Sequence, residues 1–309
     1  MKGFEKKHIL EIKDLTRSEL EVIFSLTRSF KEISQRDVKK VPALRGKTII
    51  NLFFENSTRT RISFELAAKR LSADVVNFSA PVSSLVKGET VVDTLKTLEA
   101  YHPHIMVIRI GESACLHQLT KYTQASIINA GDGNNEHPTQ ALLDMFTVQE
   151  VRGILEHLNV LIVGDIAHSR VARSNIFGFQ KFNSQITVCG PAAFIPYEFE
   201  KIGVKVCYDL DQAVEEADVI IMLRIQKERS GSLFSSGLRE YIERFSLTSQ
   251  RYKRIKKGCL VMHPGPVNWD IEIDSALKAK VHPLILKQVE NGLAVRMAAL
   301  YSVGGQAVS

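Results

Sequence analysis

The sequence predicts an α/β protein built as two doubly wound, parallel-sheet domains facing a shared cleft. Apolar runs of strand length alternate with amphipathic helical segments from one end to the other, the pattern of parallel sheets with helices on both faces. A fresh strand-to-helix start, Asn159 to Asp165 (NVLIVGD), follows the long helical segment 137–152. The 309 residues, 45% of them hydrophobic, suffice for two cores of ordinary size. Two such domains would turn the C-terminal ends of their strands, where ligands bind in open α/β sheets, towards one cleft.

The elements follow in order. Strands are expected at 47–54, 74–78, 104–109, 126–129, 158–164, 185–189, 204–206, 218–223 and 258–262, each on an apolar run such as Ile49-Ile50-Asn51-Leu52-Phe53-Phe54. Helices are expected at 17–32, 57–71, 89–101, 137–152, 169–181, 209–216 and 288–302. Pro138 suits the first turn of its helix, where a missing N–H does no harm. The preceding NAGDGNNE reads as flexible. Residues 225–250, rich in Lys, Arg, Glu, Ser and Gly, read as a long polar connection of the kind that forms lids or binding loops. The domain boundary falls at 137–152.

Bulk properties exclude several classes. The net charge is +6 and the pI about 9.0, which suits a cleft that gathers small anions. The densest basic stretch, Arg251 to Lys257, contains Tyr252 and Ile255 and reads as a solvated helix face, so no nucleic-acid partner is expected. Cys115, Cys189, Cys207 and Cys259 form no C-x-x-C pair. Three of them lie beside or within strand-like apolar runs and read as small buried hydrophobes; a reducing compartment and no metal site are expected. No membrane span and no apolar signal core are read, and a cytoplasmic location is expected. The turn GDIAHSR at 164–170 lacks G-x-G-x-x-G, so no nicotinamide, flavin or other cofactor is expected.

The most informative junction is ENSTRTRISFE at 55–65, directly after the first apolar run. A helix start carries unpaired N–H groups and partial positive charge. Ser57, Thr58 and Thr60 with Arg59 and Arg61 add donors around them, which makes a phosphate cradle without a Walker lysine. A plain N-cap is the alternative for a lone Ser-Thr pair. Alone the junction gives an anion ligand, not a reaction. His137 and Gln140 of HPTQ are three apart and share a helix face, a donor imidazole beside an amide, suited to a carbonyl bearing NH₂, with a capping histidine as the commoner alternative for a His next to Pro at a helix start. Arg170 opens a helix, and Arg224 ends a strand. Together they offer two forks to a dicarboxylate. Loop 83–89 (SSLVKGE) adds Lys87, and HPGP at 263–266 follows a strand with its carbonyls in a turn. No G-x-S-x-G, cysteine–histidine or H-E-x-x-H arrangement appears, which favours transfer by positioning and charge stabilisation.

As a set, STRTR at 57–61, VKGET at 86–90, HPTQ at 137–140, GDIAHSRVARS at 164–174, LRIQKER at 223–229 and HPGPVN at 263–268 resemble the transcarbamoylases, the aspartate/ornithine carbamoyltransferase family, over essentially the whole chain. LRIQKER, and HPGP in place of the ornithine enzymes' H-C-L-P, point to aspartate as acceptor. The resemblance implies transfer of a carbamoyl group from carbamoyl phosphate to L-aspartate, early in pyrimidine synthesis. It implies a carbamoyl-phosphate domain over 1–136 completed by the helix 288–309, a linking helix 137–152, and an aspartate domain over 153–287. Ser57, Thr58, Arg59 and Thr60 would hold the phosphate. Thr60, Arg109 and His137 would polarise the carbonyl, Gln140 with the Pro264 and Gly265 carbonyls would hold the NH₂ group, and Pro266 would belong to the same carbamoyl-phosphate set. Arg170, Arg224, Gln226 and Lys87 would bind aspartate. Ser83 and Lys87 would come from a neighbouring chain of a homotrimer, itself open to a larger assembly with regulatory or dihydroorotase chains. Glu55 would pair with Arg170 and Arg229. The chain departs from the family pattern at Ala167 (for lysine), Trp269 (for arginine) and Asn56 (for proline or alanine), none of them in the contact set above.

Overall fold

The structure is a computed structural model that describes residues 4–79, 89–225 and 234–305. Its strands are β1 (Thr48–Phe53), β2 (Asp74–Ser79), β3 (Ile105–Ile110), β4 (Ser126–Asp132), β5 (Asn159–Val163), β6 (Gln185–Cys189), β7 (Lys205–Cys207), β8 (Val219–Met222) and β9 (Leu260–Met262). The helices are α1 (Arg17–Ser34), α2 (Thr58–Arg70), α3 (Val91–Glu99), α4 (Leu116–Leu119), α5 (Pro138–Arg152), α6 (Arg170–Gln180), α7 (Leu210–Glu216), α8 (Phe234–Phe245), α9 (Ser249–Tyr252) and α10 (Lys278–Gly304). Two compact units result: Met1–Leu143 with Glu290–Ser309, and Asp144–Val289. The divisions fall inside α5 and α10.

The first unit holds a sheet of order β2-β1-β3-β4, the second a sheet of order β7-β6-β5-β8-β9. Every named strand pair is parallel. β8 and β9 are buried along their whole length, which is why they read as continuous apolar runs rather than alternating ones, while β4, also buried throughout, carries the polar Ser126, Asn129 and Asp132. The helices earn their starts locally. Thr16 and Glu19 close a capping box on α1, whose Leu20, Ile23, Phe24, Thr27 and Phe30 form one buried face. In the first unit α10 is tied in by Arg296, which donates to Ser63 at 3.1 Å and lies over the Phe64 ring, and by the Lys31–Asn291 bond of 2.7 Å.

Three readings need correction. Residues 225–250 are not a bare connection: α8 occupies 234–245, and Tyr241, Phe245 and Leu247 are buried in the core of the second unit. Apolar residues at 238, 241, 242 and 245 carry a helical period that the surrounding Ser, Gly and charged residues dilute. The last helix begins at Lys278, ten residues early, with Pro283 inside it. A proline normally signals a break, but Val281 and Ile285 on either side are buried and hold the turn in place. Finally, NAGDGNNE is not loose: β4 runs through to Asp132, and Asn129, Asp132 and Glu136 are almost fully buried.

Two imidazoles serve the first sheet as acceptors. His8 Nδ1 takes the Ile127 N–H at 3.0 Å, and His104 Nδ1 takes the Thr48 N–H at 3.1 Å. Each must be unprotonated at that atom. Burial, with Lys7 and His117 nearby, lowers the His8 pKa to about 4, and burial with Lys47 lowers that of His104. A depressed folded pKa contributes stability that is present above the unfolded value, near 6.5, and lost as pH falls through the folded one. Thermal stability should therefore fall between pH 6.5 and about 4, and the double substitution His8→Gln, His104→Gln should flatten that fall. An unchanged slope would contradict the assignment.

Candidate active site

In the first sheet the chain winds outward from β1 to β2 on one side and to β3 and β4 on the other, so the switch point lies between β1 and β3. There the Phe54 N–H donates to the Arg109 carbonyl at 2.9 Å, which sets the end of β1 beside the end of β3. The turn from β1 enters α2 with Ser57 as N-cap. Its side chain makes no capping bond, and the first turn carries no acidic residue. Thr16, Thr90, Ser169 and Thr248 do cap their helices. The α2 start thus keeps its donor character. Thr60 is buried there, while Thr58 and Arg59 are exposed.

Arg109 is held from two sides. Its guanidinium lies 3.3 Å from the Glu55 carboxylate and donates to the Ala130 carbonyl at 3.2 Å. Beyond β4, a buried polar knot fixes the approach to α5. Asp132 accepts from the Ala114 and Glu136 N–H groups and from Asn129, at 2.8, 3.1 and 2.7 Å. Glu136 in turn accepts from the Ile12 N–H at 2.7 Å. His137 and Gln140 follow directly, both buried, with the His137 carbonyl accepting the Gln140 N–H at 2.9 Å. Parallel strands put the ends of β1, β3 and β4 at one edge of the sheet, so Ser57, Thr58, Arg59, Thr60, Arg109, His137 and Gln140 all belong to that edge.

The second sheet has its switch point between β5 and β8. After β5 comes Gly164 at φ +132°, where an added Cβ would lie 3.0 Å from the Leu223 Cβ. Asp165 then holds His168 by both carboxylate oxygens, at 2.9 and 3.0 Å. Ser169 caps α6, and Arg170, its first residue, is buried. After β8 come Leu223, Arg224 and Ile225, with Arg224 half-buried.

Glu272, fully buried, clasps two of these loops. One oxygen accepts the Ile225 N–H at 2.8 Å and the Asn268 side-chain amide at 2.7 Å; the other accepts the Asn268 N–H at 2.6 Å and faces His263 Nε2 at 3.2 Å. His263 Nδ1 takes the Gly265 N–H at 2.7 Å, so its proton sits on Nε2 and points at Glu272. Gly265 adopts φ +67°, a left-handed conformation that glycine enters without cost, ahead of a cis bond to Pro266. The clasp therefore ties Arg224's neighbour to the HPGP turn. A second chain of bonds runs from the His263 N–H through Gln288 and Asp144 to Asn175, at 3.1, 2.8 and 2.9 Å.

Two donor-lined sheet edges, one for each half of the chain, match a two-domain family. Residues 7–150 match the carbamoyl-P binding domain of aspartate/ornithine carbamoyltransferases, and residues 156–303 match their Asp/Orn binding domain. The chain belongs to the aspartate/ornithine carbamoyltransferase family. It is 55% identical over 302 residues to the aspartate carbamoyltransferase catalytic subunit of Syntrophus aciditrophicus, covering 98% of both chains. It is 50% identical over 304 residues to that of Geobacter sulfurreducens, again covering 98% of both. Among solved structures, the Trypanosoma cruzi aspartate transcarbamoylase in complex with carbamoyl phosphate and aspartate superposes with TM-score 0.87 at 28% identity, over 97% of each chain. The catalytic subunit of M. Jannaschii aspartate transcarbamoylase gives 0.85 at 30%, over 96% of this chain and 98% of that one.

Within the carbamoyltransferase chain, Ser83, Lys87, Gln226 and Arg229 lie outside the described residues. Glu55 stands against Arg109. Ala167 donates its N–H to the Phe194 carbonyl at 2.9 Å, and Trp269 packs beside Lys278 and His282. Sequence reasoning did not single out Asp132, Glu136 or Glu272. A buried carboxylate that holds backbone N–H groups carries no motif; the one signal was acidic residues inside otherwise uncharged turns next to HPTQ and HPGP.

Glu272→Ala would leave the Ile225 and Asn268 N–H groups buried without acceptors, at a cost of about 3 kcal/mol. Urea unfolding should register that loss, with Glu272→Gln in between because it keeps one acceptor oxygen. A neutral Glu272→Ala would remove the clasp.

Proposed function

We propose that this chain transfers the carbamoyl group of carbamoyl phosphate to L-aspartate, giving N-carbamoyl-L-aspartate and phosphate, an early step of pyrimidine synthesis. The observation that carries the proposal is the full-length match at 55% identity to an aspartate carbamoyltransferase catalytic subunit, on a chain that keeps both donor-lined strand edges. The uncapped start of α2, with Ser57, Thr58, Arg59 and Thr60, supports a phosphate site. Thr60, Arg109 and His137 serve the carbamoyl oxygen, Gln140 with the Pro264 and Gly265 carbonyls serves its nitrogen, and Pro266 belongs to the same carbamoyl-phosphate set. Arg170, Arg224 and Gln226 take the aspartate carboxylates, with Lys87.

The reaction asks little covalent work of the protein. The neutral amine of aspartate forms a bond to the carbamoyl carbon, the carbon–oxygen bond to phosphate breaks, and the departing phosphate takes the amine proton. Negative charge grows first on the carbonyl oxygen and then on the phosphate. Donors fixed in advance at both places lower the barrier without reorganising, and losing one typically costs about 10²–10³ in rate. Glu55 and Ala130 hold Arg109 ready in this sense.

Ser83 and Lys87 belong, in this reading, to the site of a neighbouring chain in a homotrimer working in the cytoplasm. The words "catalytic subunit" in the names of the relatives support an assembly, one that regulatory or dihydroorotase chains would extend.

Carbamoyl transfer should be seen with L-aspartate and not with L-ornithine, and His137→Ala or Gln140→Ala should lower kcat by about 10²–10³. Turnover of ornithine would mean that the Arg224 assignment is wrong. In the same assay, a mixture of inactive Lys87→Ala and Arg224→Ala chains should recover activity through hybrid trimers. No recovery would mean that each chain keeps its own site.

A further inference from the structure

At one edge of the second sheet, β6 and β7 run parallel in a register that sets Thr187 against Lys205, Val188 against Val206 and Cys189 against Cys207. Residues paired across neighbouring strands point to the same face. Cys189 faces the core, fully buried within a cluster that includes Leu161, Leu210 and Val214. Cys207 projects to that face at the rim, half-buried, and its thiol donates to the Asp209 carbonyl at 3.2 Å. Burial first, and then the Cys207 thiol beside it, push the Cys189 thiol far above the ordinary thiol range. Neighbouring strands lie about 4.8 Å apart, within the roughly 4.4–6.8 Å between Cα atoms that a disulfide spans.

We propose that Cys189 and Cys207 form a reversible intramolecular disulfide, making this sheet edge an oxidation site. With hydrogen peroxide as oxidant, the more exposed Cys207 thiolate attacks one peroxide oxygen and the O–O bond breaks, leaving a sulfenic acid and hydroxide. The Cys189 sulfur then attacks the Cys207 sulfur, the S–O bond breaks, and the released hydroxide leaves as water with the Cys189 proton. In sum two thiols are oxidised, one peroxide is reduced, and two waters form. A thiolate-releasing disulfide compound would reach the same product by exchange.

The other cysteines differ. Burial is the main cause that pushes the Cys115 thiol up to about 11 and the Cys259 thiol up to about 12, and neither is in strand register with another cysteine. The ring closed by the bond also has structural reach. It contains Phe194, whose carbonyl holds the Ala167 N–H, and Phe199, whose ring lies under Arg173 at 5.8 Å. Gly190 leaves no room for adjustment, since a Cβ there would stand 2.4 Å from the Gly164 carbonyl oxygen. Oxidation would therefore cross-link the segment that braces the 164–170 turn.

The test treats the full native chain with hydrogen peroxide, then titrates thiols in denaturant and maps the peptides. Free thiols should fall from four to two, with a peptide joined between Cys189 and Cys207 that dithiothreitol separates. Proteolytic cleavage within 190–206 should slow in step. Cys207→Ser and Cys207→Ala should each abolish the link, while Cys115→Ser should keep it. Retention of all four thiols would overturn the proposal, as would sulfinic acid at Cys207 beside a free Cys189, or a bond that joins separate chains.

Discussion

Strand polarity is the constraint on which the rest of this structure depends. Every named pair in both sheets is parallel, so each sheet has one edge where strands hand over to helices. Helix starts bring N–H groups and partial positive charge to that edge. The chemistry-bearing residues of each unit then need no long-range folding device to meet. Ser57 to Thr60, Arg109, and His137 with Gln140 follow β1, lie in β3, or follow β4; Arg170, Arg224 and the HPGP turn follow β5, β8 and β9. Winding outward in both directions from one strand opens a crevice at the switch point, and the two switch points fall at these two residue sets.

What keeps the turns from collapsing on their own donors is a small number of buried carboxylates. Asp132 and Glu136 satisfy backbone N–H groups around the approach to α5, and Glu272 does so for the loops after β8 and β9. Burying a carboxylate is costly unless its oxygens are fully engaged, and here each accepts more than one bond. These acids occupy the backbone donors of the supporting loops, whereas the cap of α2 stays open. In the first unit, rigid Asp132 and Glu136 supports together with an open start to α2 suit the preorganised anion site proposed above.

Much of this was legible from the residues. The nine strands among the described residues lie where the apolar runs place them; central strands such as β5 and β8 are buried on both faces and so apolar at nearly every position, whereas the edge strands β2 and β7 are partly exposed. The donor clusters were legible because hydroxyls and arginines at strand-to-helix turns have a physical use. α8 was not, since Tyr241 and Phe245 are set among Ser, Gly, Arg and Glu, and tertiary packing rather than composition decides the segment. The start of α10 was hidden by Pro283. The tightness of NAGDGNNE was hidden because its order comes from side-chain carboxylates bonding backbone groups far away in sequence, such as Glu136 with Ile12. The pairing of Cys189 with Cys207 depends on strand register, which spacing along the chain does not reveal.

Direct binding of N-(phosphonacetyl)-L-aspartic acid, which carries a phosphonate and an aspartate in one molecule and with which a Trypanosoma cruzi aspartate transcarbamoylase structure has been solved, tests the central claim most directly. Calorimetry should give one compound bound per chain. Arg59→Ala, at the start of α2, and Arg224→Ala, after β8, should each weaken binding by at least about tenfold, since a charge-assisted hydrogen bond contributes about 1.5–3 kcal/mol. Binding that responds to only one of the two substitutions would contradict the account, because the other strand edge would then not hold the ligand.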